Sequence, residues 1–218
     1  MLESRFKIKY KDQLEKHFKN LNEEFKISVN HVLKCSVTNQ GCDGGYSYLV
    51  SKFFHQFEVH LDRCFNKSVN SCHQTCSGND KHLNQLKLGV ENYYYVGGAY
   101  GLTNEENLMR ELIKNGPIVV SFEPDYSFMV YRSGVYDFNK ATWMGTNATK
   151  PQWQKVDHSV LLVGWGEETF ADGRKVKYWE LQNSWGQHWG EQGFVRFRRG
   201  IDLNGIESIG EAAIPNLS

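Results

Sequence analysis

Apolar residues in the second half of the chain come in short, dense runs. Ser159-Val160-Leu161-Leu162-Val163 and Tyr178-Trp179-Glu180-Leu181 have strand length, bounded by the turn residues Gly164 and Gly166 in one case and Gly186 in the other. Ile118-Val119-Val120-Ser121-Phe122 reads as a further buried strand. A helix precedes it. Thr103 opens that helix with a capping-box spacing to Glu106, Leu108, Leu112 and Ile113 supply its buried face, and Asn115-Gly116-Pro117 stops it. The first half has a different rhythm. In a background rich in Lys, Glu and Asn between residues 11 and 34, Leu14, Phe18, Leu21 and Phe25 recur every three or four positions. That spacing predicts an amphipathic helix or a partly ordered surface segment. Most of 126–137 reads as scaffold, and 138–156 is polar and without period. Helices first and strands later is the order of an α+β fold, with 1–116 mainly helical and 117–218 mainly β.

Two polar residues interrupt this pattern at the edge of apolar runs. His158 opens the run at 159–163, and Asn183 follows the run at 178–181. On adjacent strands the two side chains can meet. The amide oxygen then accepts a hydrogen bond from one ring N–H and fixes the imidazole tautomer. The other ring nitrogen is left to take or hold a proton, which is two thirds of a Cys-His-Asn catalytic device.

Composition narrows the class. The chain has 218 residues, enough for one domain with a real core or two small lobes, and a net charge of +0. That balance gives no electrostatic case for nucleic acid or an anionic membrane. No apolar run approaches the roughly 18 residues that span a bilayer. The charged start, Met1 to Lys16, has no apolar core and so is no signal peptide. Five cysteines, Cys35, Cys42, Cys64, Cys72 and Cys76, make an odd count. Cys64, Cys72, Cys76 and His82 are ligand types for zinc, but the spacing is irregular and no C-x2-C pair occurs. Disulfides in an oxidising compartment fit better, so no metal is expected. Sequons at Asn66, Asn147 and Asn216 give modest support for secretion and glycosylation.

The runs DHSVLLVGWG from Asp157 and QNSWGQHWGEQGF from Gln182 resemble the histidine and asparagine boxes of papain-like cysteine peptidases. Both stand in the family's order and at its separation. QGCDGGYSYL at Gln40–Leu49, YYYVGGAYG at Tyr93–Gly101 and RFRRGIDLNGIESI at Arg196–Ile209 resemble, within the family, the cathepsin C (dipeptidyl peptidase I) group. The resemblance covers nearly the whole chain and is weakest over 9–30.

That resemblance implies a papain-like α+β fold, with a helical lobe and a β-barrel-like lobe. It implies that His158 draws the proton from a thiol nucleophile, that Asn183 orients His158, and that Trp185 covers their hydrogen bond from water. The thiolate would attack a peptide carbonyl and His158 would protonate the leaving amine. Gly44 and Gly45 match the glycine pair whose backbone runs beside the substrate, although a plain turn accounts for Gly44 as well. By the same resemblance a chloride is held by the backbone N–H of Tyr46 and the hydroxyls of Tyr48 and Tyr95, where core packing is the alternative. Cys35 is implied to pair with Cys72 and Cys64 with Cys76, which leaves Cys42 over. The stretch 138–156 matches an exposed loop where the chain is cut. The implied substrates are peptides and proteins with free N-termini, which lose dipeptides, a restriction supplied by a separate exclusion domain. The implied compartment is lysosome-like, vacuolar or secreted.

The nucleophile box is missing. The family places its cysteine in a QGxCGSCW-type box, and no C-G-x-C occurs here. Met1 to Ile8 resembles the end of the helix which that cysteine begins. The expectation is a chain that starts about four turns late, without the nucleophile or the oxyanion-hole glutamine, and inactive alone. Cys42 in Gln40-Gly41-Cys42-Asp43-Gly44 has a caspase-like box, but the histidine then belongs upstream, so it is not read as the nucleophile. The alternative is a nucleophile-free homologue acting as a binding or regulatory protein.

Overall fold

A computed structural model of the protein describes residues 1–138 and 156–218. The polar stretch at 138–156, apart from its two end residues, and the Asn147 sequon lie outside the described residues. These divide into two units, Met1–Tyr94 with Ala212–Ser218, and Tyr95–Glu211.

The first unit is helical. It contains α1 (Leu2–Lys9), α2 (Lys11–Leu14), α3 (Leu21–Glu24), α4 (Val29–Cys35), α5 (Ser47–Gln56) and nearly all of β1 (Leu88–Tyr95). The stretch 11–34 is neither one helix nor a surface segment. It is three short helices, and Leu14, Phe18 and Phe25 are core residues. Phe25 packs on Phe6 of α1 at 5.8 Å between ring centres and on Phe18 at 5.5 Å. Asn20 and Phe25 are extended, so the chain breaks and turns back to return each aromatic to the same core. The core gives what four-residue helices cannot supply for themselves, since isolated short helices are marginal in water. α4 is capped by Ser28, whose hydroxyl accepts the His31 N–H at 3.2 Å. Disulfides join Cys35 to Cys72 and Cys64 to Cys76, and Cys42 is free and exposed.

The second unit contains α6 (Glu105–Asn115), β2 (Ile118–Phe122), α7 (Tyr126–Met129), β3 (Val135–Tyr136), β4 (His158–Thr169), β5 (Lys175–Gln182), β6 (Phe194–Arg198) and the first two residues of β7 (Gly210–Leu217). Its strands run in the linear order β7-β2-β4-β5-β6-β3, an open sheet. β2, β4, β5 and β6 are antiparallel neighbours, and β3 runs parallel to β6. β5 shows the period of two expected of a half-buried strand over its second half, with Trp179 and Leu181 inside and Glu180 and Gln182 outside.

The helix α6 differs from its sequence reading in two details. Its cap is Asn104, whose side-chain oxygen accepts the Asn107 N–H at 2.9 Å. Thr103 is drawn into the core instead, where its hydroxyl donates to Val96 O at 2.6 Å and accepts the Gly210 N–H at 3.0 Å. A buried backbone N–H that would be orphaned outranks a cap that a neighbouring asparagine can supply. Ile113 is 75 % exposed. It lies five residues on from Leu108, about 140° round the helix, off the face that Leu108 and Leu112 bury.

Candidate active site

His158 is the first residue of β4, opposite Phe122 of β2. Asn183 is the residue after β5. The β4–β5 register pairs Leu161 with Gln182 and Leu162 with Leu181. Continued by one residue, it sets Asn183 opposite Val160, on the face that carries His158 two residues earlier. This diagonal placement is within reach of long side chains. The contact is made, with His158 Nε2 at 3.0 Å from Asn183 Oδ1.

The same oxygen accepts the backbone N–H of Ser184 at 2.8 Å. A backbone N–H only donates, so the atom facing it is oxygen and the amide orientation is fixed. Nε2 must then carry the proton in its bond to Oδ1. In the neutral ring that leaves Nδ1 with its lone pair. The backbone of Asn183 is held as well, since its N–H donates to Gly193 O at 2.9 Å. Asn183 is 8 % exposed, and its Nδ2 is buried without a hydrogen-bond partner.

Aromatic rings enclose the imidazole. Trp185 lies at 5.0 Å between ring centres and 35° between planes, and is itself 41 % exposed. Phe122 stands edge-on at 5.6 Å and Phe128 lies at 6.1 Å. Phe128, fully buried on α7, also touches Trp185 at 5.5 Å and Trp189 at 4.9 Å. Trp189 is fixed by a hydrogen bond from its indole N–H to Met129 O at 3.1 Å. Chemically, this is an oriented imidazole with one nitrogen free to take a proton, and an acceptor for the N–H of the resulting imidazolium.

The other residues singled out in the sequence are in the first unit, save Tyr95. Gly44 has φ +116°, a conformation that favours glycine, and its N–H donates to Gly41 O at 3.4 Å, as a turn requires. At Gly45 a Cβ would collide with the Asn39 side chain. The same Asn39 Oδ1 accepts the Tyr46 N–H at 2.8 Å. That N–H is the one a chloride would need, so the cradle implied by the resemblance does not fit at this atom. Tyr48 stands edge-on to Tyr93 at 4.9 Å, and in the second unit Tyr95 stands edge-on to Tyr100 at 5.5 Å. Asn66 and Asn216 are exposed. Among the described residues no three His, Cys, Asp or Glu side chains come together to hold a metal ion, and no helix is long and apolar enough to cross a membrane.

Sequence reasoning misses Phe122, Phe128 and Asn39. Phe122 is legible only as one more apolar residue of its strand, and nothing local marks Phe128 or Asn39, whose partners lie elsewhere in the chain.

Known proteins resemble this chain. The profile of the family described as Papain family cysteine protease matches residues 9–214. The chain is 30% identical to Dipeptidyl aminopeptidase 1 of Plasmodium falciparum over 94% of this chain and 38% of that protein. It is 34% identical to Cathepsin C of Schistosoma mansoni over 88% of this chain and 40% of that protein. The chain therefore spans about two fifths of the length of these curated relatives. Among solved structures, the bromelain protease of Ananas comosus in complex with the E64 inhibitor is similar with a TM-score of 0.66 and 25% identity, over 97% of this chain and 83% of that one.

Proposed function

The chain belongs to the papain family of cysteine proteases, and from that membership we propose that its second unit is the base-and-orienter half of a thiol-dependent peptidase of the dipeptidyl type. The observation that carries this reading is the His158–Asn183 bond, with Nε2 committed to the amide and Nδ1 left for a thiol proton. His158 Nδ1 takes that proton, and the thiolate attacks the carbonyl carbon of a peptide bond. His158 then returns the proton to the amine as the C–N bond breaks, leaving an acyl-enzyme thioester. Water, deprotonated by the same imidazole, releases the acyl group. Removal of dipeptides from free N-termini is supported by the likeness to Dipeptidyl aminopeptidase 1 and Cathepsin C. The glycine pair at Gly44 and Gly45 is the candidate for backbone pairing with the substrate. Two disulfides support an oxidising compartment, lysosome-like, vacuolar or secreted. No step is routed through chloride, because Asn39 holds the Tyr46 N–H.

The thiol is the open element. Four cysteines are in disulfides, and Cys42 lies outside the family's nucleophile motif. The 218 residues by themselves are then inactive, and activity needs the family's QGxCGSCW-type segment. The same cysteine inventory supports the second reading, a nucleophile-free binding protein. One experiment separates the two. The chain is assayed with a fluorogenic dipeptide substrate, alone and with a supplied segment that carries the cysteine box. Cleavage that appears only with the segment and is lost on thiol alkylation supports the peptidase. A chain that binds peptides but never gains turnover favours the binding protein, and alkylation-insensitive cleavage by the chain alone overturns both.

A further inference from the structure

In the first unit, rings from separate stretches of sequence converge on one histidine. His31 on α4 is 2 % exposed. Its ring centre lies 4.3 Å from His60, 5.1 Å from Phe65, 5.2 Å from Phe53 and 5.9 Å from Phe54. His31 Nδ1 is buried and has no hydrogen-bond partner. His60 Nε2 lies 3.0 Å from Cys72 O, and since a carbonyl only accepts, Nε2 carries a proton. The Cys35–Cys72 disulfide ties the end of α4 to the stretch that carries His73. His31, His60 and His73 line one cavity, together with Glu58, Phe57 and that disulfide.

We propose that this three-histidine cluster is an acid-operated latch, whose neutral rings pack α4 against residues 60–73 and whose protonation loosens that contact. A charged His31 has no acceptor for a proton at its buried Nδ1. It would face charge on His60 and His73 as well. Burial first, then His60 and His73, holds the His31 pKa down at about 4, against 6.5 for a free imidazole. His60 is lowered too, chiefly by burial and also by His73 and Lys87, while its bond to Cys72 O and the charge of Glu58 act the other way. Glu58 is a weak counter-charge, because it is already paired with Lys87 at 3.1 Å. The remaining charged neighbours are engaged elsewhere. Asp62 accepts the Ser28 hydroxyl at 3.3 Å, and Lys34 donates to the carbonyls of Lys67 and Val69.

Linkage sets the direction of the effect. Below pH 6.5 the unfolded chain binds protons that the folded cluster refuses, so stability falls as the pH falls. The stabilisation is whole above about 6.5, drains away down to about 4, and changes no further through His31 below that.

The test uses the intact chain at a series of pH values from about 7 to about 4, the span of the free and the buried imidazole. The His31 ring resonances stay at their neutral position until near pH 4, while the urea midpoint falls across the same range. His31→Phe keeps a ring in the core and removes the titration, so its midpoint falls much less. His73→Gln is an exposed change that removes one repelling neighbour and leaves the core intact. It also reduces the fall, and it decides the matter where His31→Phe does not fold. A His31 that titrates near 6.5, or a His73→Gln midpoint that falls as steeply as the original, overturns the latch.

Discussion

An imidazole that serves as a base needs one nitrogen protonated and the other bare. At His158 the assignment is made by a backbone amide one residue beyond its partner. Ser184 N–H can only face oxygen, so Asn183 presents Oδ1 to Nε2 and Nδ1 is left free. In the peptidase proposed above, with a cysteine-box segment supplied, His158→Ala should remove the base. General-base catalysis is worth about 10²–10⁴-fold, and here the thiolate itself depends on the imidazole, so kcat is expected to fall by at least that range. Asn183→Ala leaves the base and removes its anchor. A hydrogen bond to a charged group contributes about 1.5–3 kcal/mol, or about one to two powers of ten. Steady-state kinetics of the two variants should therefore separate. Equal losses would mean that Asn183 does more than orient. Both residues were legible in the sequence because a polar side chain at the mouth of an apolar strand is conspicuous. Asn39 was not. Its two tasks, filling the space beside Gly45 and holding the Tyr46 N–H, depend on a turn whose shape sequence does not disclose.

At the scale of elements, the short helix α7 does more for the site than its four residues suggest. It places Phe128 beneath Trp185, Trp189 and His158 at once. Phe128→Ala should destabilise the protein by about 3–5 kcal/mol, as a large core truncation does. It should also expose the Nε2 proton of His158 to exchange, visible as broadening of its low-field NMR signal. Phe128→Leu, milder in packing, should keep the fold and still speed that exchange. A signal as sharp as in the original protein would deny Trp185 its shielding role. α6 offers a second comparison. Asn104→Ala removes a cap and should cost about 1 kcal/mol. Thr103→Val leaves Gly210 N–H buried without an acceptor and should cost about 1–3 kcal/mol, the larger loss by urea unfolding. The ends of α6 are legible from the Thr103–Glu106 spacing and from Asn115-Gly116-Pro117, but the pattern assigns the cap one residue early. The claim on Thr103 comes from β7, far along the chain, and leaves no local mark. The strands β2, β4 and β5 were legible as dense apolar runs bounded by turn residues. The stretch 11–34 was not, because its aromatics answer to a core built with α1 rather than to any helix of their own.

For the whole molecule, the covalent constraints are unevenly spread. All five cysteines lie between residues 35 and 76, so every crosslink falls in the first unit. The loops closed span 37 and 12 positions. In the chain-entropy account these stabilise by about 4 and about 3 kcal/mol. Against a total of about 5–15 kcal/mol for a typical domain, losing both is severe. Reduction should therefore strip hydrogen-exchange protection from α4 and α5, the helices that the Cys35–Cys72 bridge and the His31 ring cluster hold in the core. The strands β4 and β5 contain no cysteine and have no crosslink to lose. Their amides should hold protection longer, in the graded manner of proteins that open by parts. Alkylation before and after reduction provides the control. One thiol, Cys42, should label in the native protein, and all five after reduction in denaturant. If α4 kept its protection with both bridges reduced, the ring packing around His31 rather than the crosslinks would be holding that helix. The acid sensitivity of the unit would then exceed its redox sensitivity.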